Sequence, residues 1–323
     1  MELDEFLLPD EGFADAVETV IKPYLAPRYE PLAVVCADGQ PLSARVYAQP
    51  GARAVVCLCH GYCEYADKYL EVIYCLLRAG YSVAICEHRG HGFSPRTVEN
   101  LSKVHIDSYD TYVRDYDSFT SRVEQRFAGL PLYLFGHSMG GCIAALYLEQ
   151  HPGRYQAAVL SSPMFQINTG GHSALLCRLY GHLMIALGRG EQYLGSQEQD
   201  FSPIYRFETS SCTCRGRYDA WFSQRLAEPH YQSHSGTIRW MTASLDAAPK
   251  AVRQAGRITV PLLLCQAGQD RLVKPGGQQR FARRAPDITV RAFVDARHEI
   301  FNSLLPTRRA YWQAVLAFYA GIQ

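Results

Sequence analysis

The stretch that most constrains this chain is Leu132-Tyr133-Leu134-Phe135-Gly136-His137-Ser138-Met139-Gly140-Gly141, an apolar run that stops at Gly-x-Ser-x-Gly and opens directly into Cys142-Ile143-Ala144-Ala145-Leu146-Tyr147-Leu148. An uninterrupted apolar run of this length reads as a strand buried on both faces, and the residues after it read as a tight turn into a helix. In so sharp a turn backbone passes against backbone on both sides of the serine, so Gly136 and Gly140 stand where a Cβ would clash. The Ser138 hydroxyl is left at the end of the strand, facing the N-terminus of the next helix, where developing negative charge is favoured. Ser138 is therefore the candidate nucleophile, and the rest of the chain has to supply a base, an acid and donors for an oxyanion.

Strand patterns of the same kind recur at residues 54–59, 81–86 and 157–163. Between them lie helical stripes: Tyr69, Val72, Ile73, Leu76 and Leu77, closed by Gly80, and then Tyr112, Val113, Tyr116, Phe119, Val123 and Phe127. Strands and helices in alternation predict an α/β architecture, a mostly parallel central sheet flanked on both faces by helices. Residues 32–49 alternate apolar and polar around Asp38-Gly39, which predicts a β-hairpin at the antiparallel edge of that sheet. The rhythm breaks after residue 163. It resumes with a buried-strand pattern at 258–265, a helix near 275–284, a last strand over 288–294 and a closing helix from Thr307 that buries Tyr311, Val315 and Phe318. Residues 164–250 are too many for a structureless loop and are expected to form a helical cap over the C-terminal edge of the sheet. The expected organisation is an N-terminal extension over 1–30, a core from 31–163 and 251–323, and the cap between.

Charge excludes one class of partner: 32 basic against 31 acidic residues leave a net charge of +1, with no field to draw nucleic acid. The 11 cysteines, odd in number and mostly set in apolar patterns, read as buried thiols of a reducing compartment. Cys57-x-Cys59-His60 with Cys63, and Cys212-x-Cys214, lack the paired spacing of structural zinc sites, so neither a metal nor a cofactor is expected. The start, Met1-Glu2-Leu3-Asp4-Glu5, is acidic where a signal peptide is basic. No run of about 18 apolar residues suggests a membrane span. A cytoplasmic location is the expectation, with peripheral contact at the inner face of the membrane through the cap.

A serine hydroxyl is a weak nucleophile at neutral pH and needs an imidazole to take its proton and later protonate the leaving group. His298, just past the final strand, falls at the sheet edge that carries Ser138; His60, His88 and His91 lie on loops at that edge too, in turns that local hydrogen bonds explain. A carboxylate must then hold the imidazole in one tautomer. Asp270 follows a buried strand and gives the chain order Ser, Asp, His; Asp295 is the rival, but only two residues separate it from His298. The oxyanion needs two backbone N–H donors. Met139, directly after the nucleophile, is one, and Tyr62, in the loop after the strand at 54–59, is the other.

Five segments together resemble one family. His60-Gly61-Tyr62-Cys63-Glu64-Tyr65, Glu87-His88-Arg89-Gly90-His91-Gly92-Phe93-Ser94, Gly136-His137-Ser138-Met139-Gly140-Gly141, Gln266-Ala267-Gly268-Gln269-Asp270 and Arg297-His298-Glu299-Ile300-Phe301-Asn302 look like the monoacylglycerol lipase and lysophospholipase L2 group of α/β-hydrolases. The resemblance covers the chain from about residue 32 to its end, apart from the cap. It implies an α/β-hydrolase fold with the cap inserted. It also implies a carboxylic ester hydrolase acting on single-chain glycerolipids, with Ser138, Asp270 and His298 as triad and Tyr62 and Met139 as oxyanion donors. Glu64 and Arg89 match loop positions whose expected role is to pin the loops.

Within the cap, Leu175, Leu179, Leu183 and Met184 form an apolar stripe expected to line a slot for an acyl chain or to dock on a lipid surface; the same stripe also reads as the cap's own core. Arg178, Arg189, Arg206, Arg215, Arg217 and Arg225 give the cap basic groups that suit a phosphodiester head group or a solvated surface. The leading expectation is hydrolysis of a lysophospholipid or monoacylglycerol through a Ser138 acyl-enzyme. A short-chain carboxylesterase, a peptidase or an acyltransferase of the same fold are the alternatives. A lipid-binding protein without turnover is an alternative of another class. Oligomeric state is left open.

Overall fold

The apolar runs pair into one sheet in the computed structural model, which describes residues 3–194 and 199–322. Residues 1 and 2 of the expected N-terminal extension, 195–198 of the expected cap, and 323 lie outside the described residues. The strands are β1 (Tyr29–Pro31), β2 (Ala44–Tyr47), β3 (Val55–Cys59), β4 (Ser82–Cys86), β5 (Leu132–His137), β6 (Ala157–Ser161), β7 (Leu262–Ala267) and β8 (Ile288–Phe293), ordered β1-β2-β4-β3-β5-β6-β7-β8. From β4 across to β8 every pairing is parallel. β1 and β2 run antiparallel to their neighbours.

Continuous burial explains the continuous apolar runs. β3, β4, β5 and β6 are buried at every residue, and alternate side chains enter two separate cores. Cys57 and Cys59 of β3 join Leu134, Tyr112, Tyr116 and Ile143 on one face. Val56 and Leu58 join Phe135, Ile73, Tyr311 and Trp312 on the other. The longer helices are α1 (Leu70–Arg78), α2 (Tyr109–Arg126), α3 (Met139–Gln150), α4 (Ala174–Ala186), α5 (Arg215–Ala227), α6 (Ile238–Gln254), α7 (Pro275–Ala282) and α8 (Leu305–Ala320).

Two local expectations need correction. The turn at Asp38-Gly39 forms, but its arms, residues 34–35 and 41–42, make a separate two-stranded sheet. The outer edge of the main sheet is β1, upstream of the expected hairpin, and it contains Pro31; a residue without an N–H is tolerated at an edge and not inside a ladder. The closing helix starts at Leu305, two residues before Thr307, with Pro306 in its first turn where no N–H is needed. Phe318 is only half-buried; the core stripe continues through Tyr311, Val315 and Tyr319, and the Tyr319 hydroxyl donates to the Leu134 carbonyl at 2.7 Å.

Between the neighbouring strands β6 and β7 the chain makes α4, α5 and α6, and Ser235–Gly236 pairs with Lys103–Val104. The expected boundary between residues 250 and 251 falls inside α6, whose Ala247, Ala248, Ala251 and Val252 are buried. Behind α5, Asp10 of the N-terminal segment is held by two buried arginines. Arg217 of α5 reaches Asp10 Oδ1 at 3.0 Å and Glu71 of α1 at 2.5 Å, and Arg308 of α8 reaches Asp10 Oδ1 at 2.9 Å.

Candidate active site

β5, β7 and β8 run parallel, so the residues that follow them meet at one edge of the sheet. Ser138 sits at φ 52°, ψ −117°, a strained backbone held by Ser138 N–H to Ser161 O and by Ser138 O accepting from Met164 N–H. The glycines around it are needed for contact. A Cβ on Gly136 would lie 2.9 Å from Gly141 Cα, and one on Gly140 would lie 2.0 Å from the Cys59 carbonyl oxygen and 2.4 Å from that of His60. The start of α3 and the end of β3 are thus packed backbone to backbone.

His298 Nε2 lies 2.7 Å from Ser138 Oγ, and His298 Nδ1 lies 2.7 Å from Asp270 Oδ2. Asp270 Oδ1 accepts from the N–H groups of Leu272 and Val273 at 2.9 and 3.0 Å. Burial works to raise the Asp270 carboxyl, but the His298 hydrogen bond and these two donors hold it below the ordinary value. Asp295 lies on an exposed turn after β8; the carboxylate that meets His298 is Asp270. Met139 is the first residue of α3, whose leading N–H groups have no carbonyl within the helix. In the facing loop, the Gly61 N–H is taken by Glu64 Oε2 at 2.6 Å, and Tyr62 is the next residue. The Tyr62 ring stacks on Trp240 of α6 with centroids 4.0 Å apart.

Glu64 pins this loop, as expected, through a buried charged network whose other members, Lys68 and Glu299, sequence reasoning did not foresee. Lys68 Nζ bridges Glu64 at 2.9 Å and Glu299, the neighbour of His298, at 2.7 Å. Tyr69 OH donates to Glu64 at 2.5 Å and Asn302 to Glu299 at 2.7 Å. Burial would raise the Glu64 carboxyl, yet Lys68 and His137 hold it well below the carboxylate range. Burial lowers the His137 imidazole to about 4 despite Glu64, so it stays neutral behind the triad. The i, i+4 spacing of Glu64 and Lys68 was the available signal; Glu299 is 231 positions from Lys68 and gave none. Arg89, as expected of a pinning residue, forks Asp115 of α2 at 2.9 and 3.0 Å and reaches Asp38 of the hairpin turn at 2.8 Å. His60, His88 and His91 are buried in mutual contact, with the His88 N–H donating to His60 Nε2 at 2.8 Å.

Two cavities meet at Tyr62. One, about 510 Å³, is lined by Tyr193, Leu194, Trp240 and Met241; the other, about 280 Å³, runs past Cys63 and Lys68 to Trp221, Phe222 and Arg225 of α5. Leu175, Leu179, Leu183 and Met184 line neither. Leu175, Leu179 and Leu183 are 55–59% exposed and Met184 is half-buried, so the stripe is not a core: it is an open apolar face on α4.

A serine oxygen, an imidazole and a buried carboxylate in series, at the N-terminus of a helix, can carry out acyl transfer through a covalent intermediate. The comparisons with known proteins agree with that chemistry. The Hydrolase_4 family model, described as serine aminopeptidase, S33, matches residues 50–304. A probable lysophospholipase L2 of Haemophilus influenzae is 27% identical over 280 residues, covering 86% of this chain and 88% of the relative. A monoacylglycerol lipase of Mycolicibacterium smegmatis is 26% identical over 254 residues, covering 77% and 82%. Among solved structures, a thermostable carboxyl esterase of Bacillus coagulans superposes with a TM-score of 0.72 at 19% identity, over 91% of this chain and 98% of that one, a likeness of fold.

Proposed function

This chain belongs to the hydrolase family described as serine aminopeptidase, S33, and from that premise we propose that it is a carboxylic ester hydrolase of single-chain glycerolipids, lysophospholipid or monoacylglycerol, working through an acyl-enzyme on Ser138. The observation that carries the reading is the unbroken series from Ser138 Oγ through His298 to Asp270, 2.7 Å at each step. Its setting among relatives named for lysophospholipid and monoacylglycerol cleavage supports it.

In this reading Ser138 Oγ attacks the ester carbonyl while His298 Nε2 takes its proton. Asp270 holds the Nδ1–H and stabilises the imidazolium. The carbonyl oxygen becomes an oxyanion facing the N–H groups of Met139 and Tyr62, each of which contributes about 10²–10³ in rate. The C–O bond to the glycerol side breaks, His298 gives its proton to the departing alcohol, and the acyl group stays on Ser138. Water, deprotonated by the same imidazole, attacks that ester and releases the fatty acid, returning the proton to Ser138. Residues 164–250 act as the cap over this site. The exposed face of α4, with Leu175, Leu176, Leu179 and Leu183, together with Leu187 just past its end, is the surface that rests on a lipid aggregate.

Fatty-acid release from monoacylglycerol and lysophospholipid, with labelling by a fluorophosphonate probe, tests the reading. Ser138→Ala is expected to lose both while remaining folded; turnover retained in that variant overturns it.

A further inference from the structure

Among the described residues the buried cationic side chains are paired with carboxylates. Arg217 and Arg308 share Asp10, Arg89 forks Asp115, and Lys68 lies between Glu64 and Glu299. Arg225 of α5, which is half-buried, breaks this pattern. Its Nε donates to the Tyr231 carbonyl at 3.0 Å and its Nη2 to the Ser233 carbonyl at 2.7 Å. Its guanidinium lies 4.6 Å from the Phe201 ring centroid, and among the described residues no carboxylate stands within ion-pair distance of it. Burial disfavours its charge. Arg96 is held in the same manner, by the carbonyls of Gly90 and His230 and by Ser233 Oγ. Both guanidiniums act on the Cys63 thiol, the residue after Tyr62. The smaller cavity beside the oxyanion loop therefore has in its wall a guanidinium that no carboxylate among the described residues pairs with, alongside Lys68, Arg206 and Glu299.

A guanidinium withdrawn from water without a counter-charge is costly, and an anion that enters offsets that cost. The placement says which part of a substrate brings it. An ester whose carbonyl oxygen faces the Tyr62 N–H has its two arms near Tyr62, where the cavities meet. The larger, whose wall sets Leu194, Trp240 and Met241 beside Gln199, Arg206 and His234, has the volume for the acyl chain in this assignment. The smaller, whose wall holds Arg225 with Phe201, Trp221 and Phe222, is left for the alcohol side. Nη1 is the fork nitrogen that neither carbonyl engages.

We propose that Arg225 is a specificity-determining residue that binds a phosphodiester on the alcohol side of the substrate, so that the enzyme selects lysophospholipids over neutral monoacylglycerols. The proposal rests on the ester-hydrolase reading of Ser138. A charge-assisted hydrogen bond to the phosphate corresponds to about 10- to 100-fold in kcat/KM.

The test compares two substrates with one acyl chain, 1-palmitoyl-glycerophosphoethanolamine and 1-palmitoylglycerol, in uncharged mixed micelles, for wild type, Arg225→Gln and Arg225→Lys. The quantity read is the ratio of kcat/KM values within each protein, which is independent of the fraction folded should the lost carbonyl bonds weaken the region around α5. Arg225→Gln is expected to lower the ratio of phospho- to neutral substrate about 10- to 100-fold, with Arg225→Lys between it and wild type, as a retained charge without the planar fork predicts. A ratio within twofold of wild type in Arg225→Gln overturns the proposal while leaving the esterase reading intact. Failure of wild type to release fatty acid from either lipid overturns both.

Discussion

Replacing Gly140 with alanine tests how the nucleophile and the oxyanion loop depend on each other. The new Cβ would stand 2.0 Å from the Cys59 carbonyl oxygen and 2.4 Å from that of His60, where ordinary contact begins at 3.4 Å. Something must retreat by about 1.4 Å, the difference between 3.4 and 2.0 Å. Both the start of α3 and the end of β3 are buried, so whichever gives way, Ser138 and the Gly61-Tyr62 loop are moved apart. An N–H set at about 2.7–3.1 Å from an oxyanion no longer bonds after such a displacement. Losing one donor costs about 10²–10³ in kcat, with a smaller effect on KM because the ground-state carbonyl leans on it less. The assay is kcat for p-nitrophenyl butyrate, beside circular dichroism and thermal unfolding to establish that the variant is folded. A folded Gly140→Ala protein with kcat within threefold of wild type would refute the argument.

Two further outcomes are expected of the same structure. Glu149 is buried on α3 with neither carboxylate oxygen partnered among the described residues, and burial pushes its pKa up to about 9, with Arg257 and Lys250 opposing. The unfolded chain ionises near its ordinary 4.5, so this site's contribution to stability is full below that pH and declines as pH rises towards 9. Glu149→Met is therefore expected to raise the melting temperature at pH 8 by a few degrees, for about 1–3 kcal/mol, and to gain nothing at pH 4; equal gains at both would contradict it. On α4, Leu179→Gln combined with Leu183→Gln is expected to lower partition onto phospholipid vesicles at least about tenfold, read by sedimentation; partition within twofold of wild type counts against α4 as the docking face.

The sheet and the line of Ser138, Asp270 and His298 were legible because they rest on local signals. A strand buried on both faces must be apolar throughout, an elbow must have glycines where backbones touch, and strand ends of a parallel sheet share an edge. Features that depend on distant partners were not. Lys68 reads as one more surface lysine until Glu299 is beside it, and Asp10 gives no hint of Arg217 and Arg308. The α4 leucines show the limit from the other side: their helical spacing is identical whether the stripe faces a core, a slot or the outside. β1 escaped notice because a three-residue edge strand containing proline carries no periodicity to read.

The tie between Asp10 and Arg217 reaches further than the N-terminal segment it anchors. One turn beyond Arg217 on α5 stands Trp221, whose carbonyl receives the Tyr65 hydroxyl at 2.8 Å and whose ring lies 4.7 Å from Lys68 Nζ, and another turn on stands Arg225. Residue 10 and the wall of the smaller cavity are thus opposite ends of one short rigid lever. If Arg225 selects the head group as proposed, displacing Asp10 by a tag or a cut near it is expected to alter substrate preference.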